Sequence, residues 1–205
     1  HAATTAEIAF GVGRTAKHFI YLNVGTGIAA GVVSDGRLVR GALNYAGEAG
    51  HMVVEPYGVL CTCGQRGCLE PTSSGGGIIA QATEAALADP TSALHEAARA
   101  GQITSSVVFA AADAGDAVAG AVAKRALLGL CYGVTSLANL LNPEIIVVGG
   151  GVFADGWLLP RLQGFVGTYA LRNVRRSLRG IVPSELSIDQ VGLLGAASLA
   201  WERES

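Results

Sequence analysis

The pattern of apolar residues predicts a set of short strands in the first fifth of the chain. Residues 18–24 and 28–34 are runs of β-branched, aromatic and small residues, and a third run, 37–39, follows the Asp35-Gly36 pair. An Asp-Gly pair supplies the positive φ angles that a two-residue hairpin needs. The three runs are therefore predicted to form an antiparallel set, after a helix over residues 1–10 that are rich in Ala and Thr.

Farther along the chain, apolar residues recur at helical spacing. A strand predicted over 144–148, apolar from Ile145 onward, interrupts this pattern and leads into Gly149, Gly150 and Gly151. Strands followed by helices, with glycines at the strand ends, predict an α/β domain whose ligand lies beyond the strand tips. Helices are predicted over 77–87, 92–99, 105–114, 158–174 and 193–201, with a long helix that Gly115-Asp116 caps and that reaches about residue 140.

Composition narrows the possible classes of protein. Of 205 residues, 50% are hydrophobic and 15% are charged, which excludes a disordered chain, and Gly and polar residues interrupt any membrane span. The net charge is −2, and the arginines between residues 172 and 179 are better explained as the solvated end of a helix than as a nucleic-acid patch. The first four residues lack the pattern of a secretory signal, so the expected location is cytoplasmic.

Three of the four cysteines lie within eight residues of one another. Cys61, Cys63 and Cys68 share a glycine-rich stretch, whereas Cys131 is alone in an apolar run. In a reducing cytosol, such a cluster favours a metal over a disulfide. Residues 41–70 are also too irregular and too long to be left without an internal clamp.

A tetrahedral zinc ion is satisfied by three thiolates and one imidazole. Gly64 and Gly67 let the chain fold tightly enough for Cys63 and Cys68 to point at one ion. Small buried hydrophobic side chains are the alternative, and three cysteines in one loop disfavour it. His51 is the candidate fourth ligand, although the spacing alone fits an ordinary core histidine equally well.

Two acids flank the cysteine cluster. Glu48 comes three residues before His51, and Glu70 comes two residues after Cys68. A metal that gathers His51 and Cys68 draws both carboxylates to one place, where they can accept hydrogen bonds from vicinal sugar hydroxyls. The free ring nitrogen of a metal-bound His51 can also bond to the ligand. Without the metal, Glu48 and Glu70 would be interpreted as surface charges.

Two glycine segments are candidate phosphate-binding turns. Gly25, Thr26 and Gly27 separate two predicted strands, and Gly149–Gly151 follow a third. Glycine lets backbone N–H groups approach an anion, and Thr26 adds a hydroxyl donor. A tight hairpin turn and a helix-entry loop are the alternatives. A third candidate, residues 73–77, fits a flexible lead into a helix equally well.

Five motifs stand out along the chain: Gly25-Thr26-Gly27-Ile28, Ala46-Gly47-Glu48-Ala49-Gly50-His51, the Cys61-to-Glu70 run, Asn142 to Gly150, and Gly192-Leu193-Leu194-Gly195-Ala196-Ala197. Taken together they resemble the ROK family, which takes in bacterial glucokinases, N-acetylhexosamine kinases and sugar-responsive repressors. The resemblance runs nearly from end to end of the chain. It implies an actin-like, Hsp70-like (ribonuclease H-like) sugar kinase fold over residues 1–205, with 41–70 as a zinc-binding sugar-site loop.

The resemblance also implies a set of ligands. Sugar hydroxyls would lie on Glu48, His51 and Glu70. The phosphates of ATP, with Mg²⁺, would lie near Gly25–Gly27, and the adenosine side near Gly149–Gly151. A homodimer is implied as well. The zinc ligands would be His51, Cys61, Cys63 and Cys68.

The implied activity is ATP-dependent phosphorylation of a hexose or N-acetylhexosamine hydroxyl. The alternative is the sugar-sensing domain of a ROK transcription regulator, which would reach DNA only through an upstream domain. The kinase is favoured because both glycine segments persist, and the sugar itself is not readable from the sequence.

Two departures from the kinase pattern matter. Ala29 and Ala30 stand where ROK kinases usually continue the turn with glycines. The catalytic aspartate of these kinases is expected a few residues before His1, together with the first lobe. Residues 1–205 are therefore expected to be a cut domain that lacks a catalytic base and is inactive alone.

Overall fold

A five-stranded mixed sheet, in the order β3-β2-β1-β4-β5, lies at the centre of the molecule. The computed structural model describes residues 1–186, 190–191, 193–195 and 197. The predicted helix over 193–201 and the motif over 192–197 therefore lie largely outside the described residues. The strands are β1 (Phe19–Val24), β2 (Ile28–Ser34), β3 (Arg37–Leu38), β4 (Ile145–Gly149) and β5 (Ile181–Pro183).

The predicted antiparallel set is confirmed. β1 pairs with β2 and β2 with β3, both antiparallel, and the hairpin between β2 and β3 has Asp35 at φ 52° and Gly36 at φ 74°. The predicted apolar strand is β4, which pairs in parallel with β1. The sequence did not indicate β5, a three-residue strand that pairs in parallel with β4.

Helices cover both faces of this sheet. Three 3-10 turns, Val12–Arg14, Ala49–His51 and Gly151–Phe153, connect the elements. The helices are α1 (Ala2–Phe10), α2 (Leu69–Ser73), α3 (Gly75–Ala88), α4 (His95–Arg99), α5 (Ser105–Asp113), α6 (Ala117–Leu141), α7 (Leu158–Tyr169) and α8 (Arg172–Ser177).

Two helix predictions need correction, and one helix was not predicted. The helix predicted over 158–174 is two helices, because Ala170 and Leu171 are extended and the Leu171 N–H donates to Asn139 Oδ1 at 2.8 Å. The helix predicted over 92–99 begins only at His95, since the preceding residues form a turn that donates to the Asp116 carboxylate. The helix without a prediction is the short α2, whose first two residues, Leu69 and Glu70, belong to the irregular segment 41–70.

The long helix α6 is the core of the main layer. Asp116 caps it, as predicted, by accepting the Ala119 N–H at 2.7 Å. By length and composition α6 could cross a membrane, but half of its most apolar window is buried against α2, α3, α5 and α7. We interpret it as a core helix.

The two faces of the sheet pack differently. Ile20, Leu22 and Val24 on β1 point into the main core with α6. Phe19 and Tyr21 point to the other face, which α1 covers. The carboxyl end of β1, where these two faces meet the Gly25–Gly27 turn, positions the candidate site.

Candidate metal and sugar site

The loop that carries the cysteines is held by its own backbone. The Val54 N–H donates to Gly67 O at 2.9 Å, and the Cys61 N–H donates to Gln65 O at 2.7 Å. Gly67 has φ 77°, and a Cβ there would collide with the Glu55 carbonyl. Gly64 also has a positive φ, 90°. These contacts confirm that the two glycines allow the tight fold the cysteines require.

The structure brings His51, Cys61, Cys63 and Cys68 together, with their ligand atoms all within 4.8 Å of one another. The Sγ atoms of Cys63 and Cys68 are 3.7 Å apart, and His51 Nδ1 is 3.6 Å from Cys61 Sγ. A tetrahedral ion with zinc-like bond lengths places two sulfurs about 3.8 Å apart and a sulfur and nitrogen about 3.6 Å apart. The four groups therefore fit such an ion.

The surroundings of the thiols shift two of their pKa values in opposite directions: the backbone hydrogen bond with Gln65 lowers the pKa of Cys63, whereas the pKa of Cys68 is raised. Burial raises the pKa of Cys68 to about 12, and hydrogen bonds with the Cys63 and Cys61 thiols add to the rise. Such a shift disfavours the thiolate, whereas a coordinated metal ion favours it strongly. A divalent cation among these sulfurs would therefore favour the thiolate form of Cys68 that burial disfavours.

The imidazole of His51 lies between the cysteines and Glu48. Its Nδ1 is the nitrogen near Cys61, and its Nε2 is 3.9 Å from Glu48 Oε2. Glu48 occupies the N-cap position of the 3-10 turn that ends at His51 without making a side-chain capping bond, and its side chain is half exposed. One ring nitrogen is thus available to the metal and the other to a ligand beside Glu48.

Glu70 lies in the first turn of α2 and reaches the start of β2. Its Oε2 accepts the Ile28 N–H at 2.8 Å. A Cβ on Gly27 would be 2.6 Å from this oxygen, and one on Gly50 would be 3.3 Å from it. One carboxylate oxygen is therefore engaged by the protein, and among the described residues the other has no hydrogen-bond partner.

The two glycine segments meet at the carboxyl edge of the sheet. Gly150 has φ 97°, and a Cβ on it would collide with the backbone of Val24 and Gly25. This contact follows from the parallel pairing of β1 with β4. In the described part of the chain, the N–H groups of Thr26 and Gly27 make no hydrogen bond, so both are available to an anion.

The third candidate phosphate segment, residues 73–77, has no free donors in its glycines. Gly75 N–H donates to Gly25 O at 2.7 Å, and Gly76 N–H donates to Thr26 O at 3.2 Å. Gly77 N–H donates to the capping Ser74 Oγ at 3.0 Å. The amino end of α3 therefore supports the Gly25–Gly27 turn rather than binding phosphate itself.

A polar network behind the site was missed by sequence reasoning. Arg125 on α6 pairs with Glu55 of the cysteine loop at 2.7 Å and donates to Gln81 Oε1 at 3.0 Å. Gln81 in turn donates to the carbonyls of Pro71 and Thr72 in α2. This network ties the cysteine loop to the helix that carries Glu70, and only the isolated polar positions on two apolar helices could have indicated it.

Comparison with known proteins places this arrangement in a family. The sequence profile described as "ROK family" matches residues 1–203. The chain belongs to the ROK family. A glucokinase from Halalkalibacterium halodurans is 39% identical over 175 residues, which are 84% of this chain and 53% of that protein. The chain spans about half to two-thirds of the length of the glucokinases it matches.

Solved ROK structures include both kinases and regulators. A ROK transcriptional regulator, a homologue of the Escherichia coli MLC protein, has a TM-score of 0.78 and 32% identity, covering 97% of this chain and 49% of that one. A Streptomyces griseus ROK glucokinase in complex with glucose and AMPPNP has a TM-score of 0.74 and 30% identity, covering 97% of this chain and 65% of that one. The actin-like sugar kinase fold is thereby confirmed.

Proposed function

We propose that the full-length protein transfers the terminal phosphoryl group of ATP to a hydroxyl of a hexose or N-acetylhexosamine. The hydrogen bond between the Ile28 N–H and Glu70 carries this proposal. It joins an acid beside the cysteine cluster to the residue that follows the Gly25–Gly27 turn. A sugar held by Glu70 would thus lie next to phosphates held by that turn.

Each side of the site has its own task. Sugar hydroxyls would donate hydrogen bonds to Glu48 and to the second oxygen of Glu70, and would bond to Nε2 of His51. These bonds would orient the hydroxyl that is phosphorylated. The N–H groups of Thr26 and Gly27 would donate hydrogen bonds to phosphate oxygens of Mg²⁺-ATP, and Gly149–Gly151 would border its adenosine side. Holding two substrates in line supplies much of the rate of such a transfer.

Zinc is the ion that we propose for the cluster of His51, Cys61, Cys63 and Cys68. Four protein ligands leave no open position, so the ion is structural and fixes the orientation of the His51 ring. Its influence on the sugar passes through the free Nε2 of that ring.

The transfer balances in a single displacement. The sugar oxygen bonds to phosphorus, and the bond from phosphorus to the bridging oxygen breaks, which releases ADP. The hydroxyl proton passes to the aspartate that the family resemblance places ahead of His1. We assign no catalytic base to residues 1–205.

The test is sugar-dependent release of ADP by the full-length protein with glucose, N-acetylglucosamine and N-acetylmannosamine. Glu48→Gln should lower the rate while zinc stays bound, because an amide offers one acceptor where the carboxylate offers two. Glu96→Gln, which changes an exposed acid on α4, is the matched control. A Glu48→Gln variant with the rate of the control would contradict the assignment of the sugar site.

A sugar-sensing regulator is the second candidate. Ala29 and Ala30 replace the glycines that usually extend the phosphate turn, and a ROK regulator has a TM-score of 0.78 with this chain. A full-length protein that binds sugar and DNA but not ATP would favour the regulator. Light scattering on the same sample tests the homodimer.

A further inference from the structure

The three thiols of the metal cluster differ in their exposure to solvent. Cys61 is 4% exposed and Cys68 is fully buried, whereas Cys63 is exposed. The fourth cysteine of the chain, Cys131, is also buried and lies apart from the cluster in α6. A small oxidant that reaches the folded protein therefore meets Cys63 before any other thiol.

Cys63 lies at the tip of a tight turn. The Cys61 N–H donates to Gln65 O at 2.7 Å, and the Gly64 N–H donates to Cys61 O at 2.9 Å. Among the described residues, neither the N–H nor the carbonyl oxygen of Cys63 takes part in a backbone hydrogen bond. The side chain of Cys63 can therefore move without the loss of either hydrogen bond of the turn.

Cys68, by contrast, is held in place. It forms a β-bridge with Val53, and its carbonyl oxygen accepts the Thr72 hydroxyl at 2.8 Å. Its Sγ lies 3.7 Å from that of Cys63. A buried thiol thus lies beside an exposed one, which is the arrangement that lets a second cysteine capture the first oxidation product of its neighbour.

We propose that Cys63 is the site at which hydroperoxides oxidise this protein, and that the product is a disulfide between Cys63 and Cys68. The Cys63 thiolate attacks the peroxide, so that an S–O bond forms, the O–O bond breaks and hydroxide leaves. The Cys68 thiolate then attacks the oxidised sulfur, so that an S–S bond forms, the S–O bond breaks and a second hydroxide leaves. The two sulfurs together lose two electrons, which the peroxide gains.

Cys61 is the less suitable partner for Cys63. Only Thr62 separates them, and a disulfide has narrow limits on the distance and direction of its two side chains. Four residues, two of them glycines, lie between Cys63 and Cys68 and allow the chain to adjust. We therefore expect Cys61 to remain a free thiol.

The disulfide would remove two of the four groups proposed to hold zinc. His51 and Cys61 would remain, and two ligands do not satisfy a structural tetrahedral ion. No metal would then orient the His51 ring, whose Nε2 lies 3.9 Å from Glu48 Oε2. This consequence rests on the proposed function: oxidation should weaken sugar binding by the full-length protein.

The experiment treats the reduced, zinc-loaded full-length protein with an equivalent of hydrogen peroxide. A chromogenic chelator measures released zinc, and thiol titration counts the cysteines that remain. We expect loss of the zinc and of two thiols. Trypsin cleavage after Arg66 separates Cys63 from Cys68, so mass spectrometry without reductant should find the two peptides joined, and fragmentation between Cys61 and Cys63 assigns the linked residue.

Calorimetry compares sugar binding before and after oxidation. The affinity should fall about two- to tenfold or more, the loss of one neutral hydrogen bond, and should return after reduction with added zinc. Cys131→Ser is the matched control and should react as wild type does. Cys63→His keeps four zinc ligands but removes the exposed thiol, so it should keep its zinc after the same treatment.

Three results would overturn the inference. They are a disulfide that joins Cys68 to Cys61, the same zinc release in Cys63→His as in wild type, and zinc content and sugar affinity that survive formation of the disulfide. Reduced wild-type protein that binds none of the sugars would contradict the proposed function instead. The peptide map and the zinc release would still decide the chemistry of Cys63.

Discussion

Glu70 offers the sharpest test of the site, because its two carboxylate oxygens have different partners, a backbone N–H group and the proposed sugar. Its Oε2 accepts the Ile28 N–H at 2.8 Å, and its other oxygen is proposed to hold the sugar. Glu70→Gln keeps the shape of the side chain. The amide oxygen can still accept the Ile28 N–H, while an NH₂ group replaces the oxygen that faces the sugar.

The expected loss is that of one hydrogen bond to a charged group, about 1.5–3 kcal/mol. This corresponds to a sugar Kd that is weaker by roughly 10- to 150-fold. Nucleotide affinity should change little. Glu70→Ala should in addition weaken nucleotide binding, because the Ile28 N–H at the end of the phosphate turn loses its acceptor, at about 1 kcal/mol.

Calorimetry on the full-length protein with each sugar and with AMPPNP measures both effects. Zinc content is determined on the same samples, and Glu96→Gln is the control for removing a negative charge. Wild-type sugar affinity in Glu70→Gln, with zinc at its full stoichiometry, would refute the assignment of Glu70 to the sugar and leave it a purely structural residue.

Two further predictions concern the surroundings of the site, and a third concerns the opposite edge of the sheet. Cys63→Ser should lose the bound zinc and open the 41–70 loop to protease, because structural zinc contributes folding free energy. Cys131→Ser is the control and should keep its zinc, which elemental analysis measures. Equal zinc content in the two variants would contradict the proposed metal cluster. Arg125→Gln should lower sugar affinity, since it frees the cysteine loop from the helix that carries Glu70. It should lower the free energy of unfolding by only about 1 kcal/mol or less, because the ion pair is partly exposed. A wild-type sugar affinity in calorimetry would show that the network does not position the site. Hydrogen bonds from the N–H groups of His18 and Lys17 hold the pKa of Glu144 below its usual 4.5. The stabilisation is therefore present above that pH and lost as the pH falls through the lowered pKa, so urea unfolding should show wild type more stable than Glu144→Gln at neutral pH, with the difference narrowing in acid. A difference that grows in acid would contradict this sign.

Sequence reasoning succeeded where local geometry decides the structure. The β2–β3 hairpin follows from Asp35-Gly36, because only a few residue types accept two consecutive positive φ angles. Cys61, Cys63 and Cys68 were predicted to cluster because they lie within eight residues of one another. The two glycines between them allow the tight turns that bring the thiols together. The Asp116 cap was predicted because a carboxylate that bonds the first free N–H groups of a helix is a local interaction.

The tertiary structure decided the relations between residues that are distant along the chain. The strand beside β1 is β4, more than a hundred residues later, and this pairing alone brings Gly150 against Gly25. The local sequence alone would leave the N–H groups of Gly75 and Gly76 without partners at the start of α3. In the folded chain they donate to the carbonyl oxygens of Gly25 and Thr26. Glu70 bonds to Ile28 for the same reason. Burial of the common core fixes which elements meet, whereas a sequence pattern of period two or 3.6 specifies only which face of each element is buried.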